Sequence, residues 1–160
     1  AYVRNANDLS KPVFCMTGKN ITEEVTELHG LNFVSMLTFD KKFNDFGEFV
    51  LLINDKVEFL NRIKQQLDKM KISFSVGMVK YRDTSRLYID EQQEIEVNTA
   101  FNKNPFFEYQ SEFRILLDTC VDDHFSFEIG DIRDISTLLE TELVLKGLTC
   151  KGTFKEPIVK

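Results

Sequence analysis

The stretch DKVEFLNRIKQQLDKMK, residues 55–71, leaves room for little besides an amphipathic helix. Asp55 followed three residues later by Glu58 is a capping signal, and Val57, Leu60, Ile63, Leu67 and Met70 recur at three- and four-residue steps. A helix with such a stripe must lie on apolar surface, and its neighbours in sequence supply it. Before it, EFVLLIN is a continuous apolar run suited to a strand covered on both faces. After it, ISFSVGMVKY sets Ile72, Phe74, Val76 and Met78 against Ser73, Ser75 and Gly77, the alternation of a half-buried strand.

The rest of the chain adds strands and one more helix. KPVFCMT is a strand opened by Pro12, and NFVSMLTF is a strand with Phe33, Ser35, Leu37 and Phe39 on one face. Asn20 and Glu23 form a second capping pair, with Ile21, Val25 and Leu28 on one face and Gly30 as a stop, which predicts a helix at about 21–29. FFEYQSEFRILLDT, residues 106–119, reads as one long strand. CVDDH then turns the chain into FSFEIG, where Phe125, Phe127 and Ile129 point inward and Ser126 and Glu128 outward, so the two segments read as a hairpin. STLLETELVLKG suits a short helix or a strand, and the polar stretch 83–104 is a long excursion. The sum is an α+β fold, a largely antiparallel sheet packed by two helices (about 21–29 and 56–71) in a single domain, 1–160. With 160 residues and 42% hydrophobic content, such a domain buries a core without disulfides or a structural metal.

Charge and cysteine usage narrow the function classes. Residues 1–80 carry 11 Lys/Arg against 10 Asp/Glu, whereas residues 81–160 carry 9 against 16. The acidic half repels phosphate, which disfavours direct nucleic-acid binding; it suits a protein partner with a basic surface, or, as the favoured reading, simply keeps the protein in solution. Cys15, Cys120 and Cys150 are widely spaced and form no CxxC pair, the usage of reduced thiols in the cytoplasm. Cys120 and His124 lack the second Cys/His pair of a tetrahedral site, so no metal is expected. Seven unclustered glycines form no phosphate cradle, and the reading expects no cofactor. No apolar run reaches the length of a membrane helix and no leader opens the chain, so the expectation is a soluble intracellular protein without a membrane partner.

Two groups of residues are candidate sites. Gln110, Glu112 and Arg114 alternate onto one strand face, where an ion pair either positions a ligand or forms the wet side of a sheet; the exposed-sheet reading is favoured. Phe101, Phe106 and Phe107 fall in or beside polar loops, with Asp90, Glu91 and Glu94 nearby. Aromatic anchors with a carboxylate rim describe a partner-binding surface, so the favoured function is a small acidic binding or accessory protein acting by protein–protein contact.

Two resemblances bear on these candidates. Gln110-Ser111-Glu112 resembles the Gln-x-Glu element of ADP-ribosyltransferases. That resemblance implies an alternative, an NAD-dependent transferase in which Glu112 stabilises the cationic sugar, Gln110 orients the acceptor, and Ser35 and Arg4 support the site. FVSML departs from that family's pattern, which wants a second hydroxyl beside Ser35. The succession of FCM, FGEFVLLIND, VEFLNRI, GMVKYRD, FFEYQSEFRI and IGDIRDIS is similar, from about Phe14 to Leu143, to an uncharacterised family of bacterial and phage-borne proteins. It implies no activity, but places the EFR strand and the IGDI turn in one hairpin and suggests a phage, mobile-element or host-defence setting.

Overall fold

The computed structural model describes residues 11–83, 99–120 and 124–153. The fold is α+β with antiparallel sheets. Its contacts divide it into two compact units, residues up to Gly18 with Ile53–Ser136, and Lys19–Leu52 with the chain from Thr137 onward. Among the described residues no helix is long and apolar enough to cross a membrane.

The first unit is built around a three-stranded antiparallel sheet of β1 (Val13–Thr17), β5 (Phe74–Met78) and β8 (Glu112–Leu117), with β8 in the centre. The register sets Cys15 and Gly77 opposite Arg114, and Met16 and Met78 opposite Phe113. Helix α1 (Lys56–Met70) starts at the Asp55 cap, whose carboxylate accepts from Glu58 N at 2.9 Å, as the sequence predicts. Phe59, Ile63 and Leu67 of α1 are buried with Ile115 and Leu117 of β8 and with Ile135.

The stripe is rotated from the one predicted. Phe59 is in the core, whereas Val57 and Met70 are exposed, because they lie at the rim of the face that the sheet covers. Val76 and Met78 are also exposed, since β5 is an edge strand and the helix buries the central one most. Phe125, Phe127 and Ile129 pack on the core as predicted, with Ser126 and Glu128 outward. They do so without strand pairing, so the predicted 106–130 hairpin does not form. Burial of alternate rings is enough to impose the pattern on an irregular segment.

The second unit contains a three-stranded sheet in the order β10 (Leu148–Thr153), β3 (Asn32–Leu37) and β2 (Val25–His29), antiparallel throughout. Here the predicted helix at 21–29 is corrected. Ile21–Glu24 makes one 3-10 turn and Val25–His29 is a strand. With His29 opposite Asn32, the φ of +63° at Gly30 closes a tight β-turn instead of capping a helix. Antiparallel pairing with β3 from Val25 to His29, with one bulge between Val25 and Glu27, overrides a capping signal worth about 1 kcal/mol. The ambiguous STLLETELVLKG divides, giving β9 (Ser136–Glu140) and a short helix α2 (Thr141–Leu145). β9 pairs with β4 (Phe49–Ile53), the strand read from EFVLLIN. β4 is only partly covered, with Phe49 and Leu51 exposed, against the expectation of burial on both faces.

Candidate functional site

The first unit assembles a compact polar site on the face of β8 that turns away from α1. Two short strands, β6 (Lys80–Tyr81) and β7 (Asn102–Lys103), pair in parallel, with Tyr81 beside Lys103. The Lys103 carbonyl accepts from Arg82 N at 3.0 Å. The chain then enters a 3-10 helix, Pro105–Gln110, instead of continuing the predicted strand from 106. The local signal was present: Asn104 is an N-cap whose side chain accepts from Phe106 N at 2.9 Å, and Pro105 takes the first helical position. The helix ends at Ser111, which is left-handed at φ +46° and exchanges two 2.8 Å hydrogen bonds with Gly18, one through its carbonyl and one through its hydroxyl.

Strand β8 therefore starts at Glu112, and that residue is not on a wet face. It is only 9% exposed, and its backbone is held at both ends, its N–H donating to the Tyr81 hydroxyl and its carbonyl accepting from Val79 N, each at 2.8 Å. One carboxylate oxygen accepts from the Lys103 ammonium. The other accepts from Arg114 Nε at 2.7 Å and Nη2 at 2.6 Å. Arg114 also donates from Nη1 to the Ala100 carbonyl, and Lys103 donates to Gln110 Oε1 while lying 4.7 Å from the centre of the Phe107 ring. The favoured reading of a solvated ion pair is thereby corrected: the loop 99–110 folds over this face, and a covered carboxylate is tolerated because both of its oxygens meet a cation.

The electrostatics follow from this enclosure. Burial works against the charge on Glu112, but hydrogen bonds from Lys103 and Arg114 outweigh it and hold the carboxyl below the usual range. Burial pushes the Tyr81 hydroxyl above the usual phenol range.

The predicted site residues fare unequally. Glu112, Gln110 and Arg114 converge, joined by Lys103. Ser35 belongs to the second unit, where it is fully buried on β3 and donates its hydroxyl to the Ile21 carbonyl at 3.1 Å. Arg4, Asp90, Glu91 and Glu94 lie outside the described residues. Phe101 is half-buried, its ring 3.4 Å from where a Cβ at Gly77 would stand, so it covers the sheet. Phe107 is half-buried under Phe106 and beside Lys103. Phe106 alone of the three is presented to solvent, at 70% exposure, with its ring edge-on to Phe107 at 5.2 Å. Lys103 and Tyr81 were missed by sequence reasoning, since nothing local marks a lysine nine positions away as the partner of a glutamate.

Among the described residues no group of three His, Cys, Asp or Glu is placed to hold a metal ion. Chemically, the cluster fixes the loop: each cationic side chain ties a different part of segment 99–110 to β8. Comparison with family models, with characterised proteins and with solved structures gives no match.

Proposed function

We propose that the chain is a protein-binding or accessory module whose recognition element is the Pro105–Gln110 helix, with Phe106 as the anchor inserted into a partner. The observation that carries this reading is a large ring held 70% exposed on a segment that is otherwise tightly fixed. A ring with few conformational alternatives loses little entropy on binding, which is how aromatic hot spots gain their weight. The fixing comes from the Asn104 cap below it, the Phe107 ring against it, and the Lys103–Glu112–Arg114 cluster behind it. The acidic second half of the chain favours a partner with a basic surface.

The setting follows the sequence resemblance, a phage-borne or mobile-element protein or one linked to host defence, working in the cytoplasm. All three cysteines are free thiols, which supports a reducing compartment. A photo-crosslinking residue at position 106, used in the native host, should capture one dominant partner, and Phe106→Ala should abolish its co-purification. Undiminished co-purification by Phe106→Ala would remove this reading.

A further inference from the structure

A second surface, on the other unit, has a composition that specifies its occupant. Thr141 N donates to the Glu48 carbonyl and Asn54 N to the Ile135 carbonyl, each at 2.8 Å, so β4 and β9 run antiparallel with Leu51 opposite Leu138 and Phe49 opposite Glu140. These four side chains share one face of the ribbon. Phe49 is 60% exposed, Leu51 49% and Leu138 64%, while Val50, Leu52 and Leu139 of the opposite face are partly covered. An outward apolar face on a ribbon this narrow is the reverse of the usual arrangement and marks a contact surface.

The residues of this unit next to the face, its rim, are mainly acidic. Glu140 lies on the face itself opposite Phe49, and Asp45, Glu48 and Glu142, in the flanks of the two strands, are exposed. The cations of the same flanks, Lys41, Lys42 and Lys146, stand farther along the chain from the strand ends. A second copy of the chain would bring carboxylates onto carboxylates, on molecules that each carry a net charge of -6. We infer that the Phe49–Leu51–Leu138 face is a docking site for a basic amphipathic segment of another protein, its apolar side chains seated on these three and its Lys or Arg residues paired with the rim. This surface is independent of Phe106.

The test uses the whole chain and a short fluorescein-labelled peptide of alternating Val and Lys, with an alternating Val and Glu peptide as comparison, read by fluorescence anisotropy. The Val/Lys peptide should bind, weaken as salt is raised, and lose about tenfold in affinity with Leu138→Gln, while Phe106→Ala leaves it unchanged. Leu51→Gln repeats the test at the opposite strand, and circular dichroism confirms that each variant is folded. No binding of the Val/Lys peptide, equal binding of the Val/Glu peptide, or unaltered affinity in both variants would overturn the proposal. So would a wild-type dimer in sedimentation that Leu138→Gln dissociates, since the face would then belong to a second copy.

Discussion

Lys103 donates its ammonium hydrogens to Glu112 across a separation of nine residues, and by doing so closes the loop that carries the Pro105–Gln110 helix. The pair is covered, with side-chain exposures of 24% and 11%, so removing the negative partner leaves two cations without compensation. Glu112→Gln should therefore lower the unfolding free energy by about 2 kcal/mol, read from urea midpoints at neutral pH. A midpoint equal to that of the wild type would show the cluster to be energetically inert.

The same pair sets a pH dependence. The Glu112 carboxyl is held below its ordinary range in the folded protein, so its contribution is fully present above the unfolded value and is lost as pH falls through the lower folded one. The stability gap between wild type and Glu112→Gln should therefore be widest near neutrality and shrink on acidification below the usual glutamate range. Parallel urea titrations at neutral and acid pH measure it, and a gap that widens in acid would contradict the assignment.

Phe106→Ala removes an exposed ring and should change stability by no more than about 0.5 kcal/mol. A drop of several degrees in Tm would instead show the ring to be packed in solution and would dismiss it as an anchor.

Lys71 closes α1 in the left-handed conformation, at φ +57°, with its N–H donating to the Asp68 and Leu67 carbonyls. Glycine adopts that conformation without a Cβ clash. Lys71→Gly should stabilise the protein by about 0.5–1 kcal/mol, seen as a higher urea midpoint with unchanged slope.

Gly152 lies opposite Phe33 in the β10–β3 pair, and a Cβ built there would stand 2.7 Å from the ring. Gly152→Ala should destabilise by about 1–3 kcal/mol through the displaced ring. Combining it with Phe33→Leu should recover part of the loss, and a double-mutant cycle with no coupling would refute the contact.

The elements that were legible in the sequence are those whose causes are local. The Asp55 cap, the span of α1 and the inward alternation of Phe125, Phe127 and Ile129 depend on spacing along the chain, and each stands as the residues specify. The placement of Glu112 and Arg114 on one strand face is of the same kind. Even the 3-10 helix had a readable start in Asn104-Pro105, overlooked because FFEYQ continues the apolar run of the strand that follows.

What only the tertiary structure decided is which of these faces is covered. Val25–His29 has helical spacing, but β3 offered it an antiparallel partner, with one bulge between Val25 and Glu27, and that offer is invisible from within the segment. Glu112 is a buried ion pair instead of a wet one because β6 and β7, some twenty residues apart in sequence, pair and deliver Lys103. Periodicity states which side chains share a face, whereas desolvation depends on what chain distant in sequence comes to rest on it.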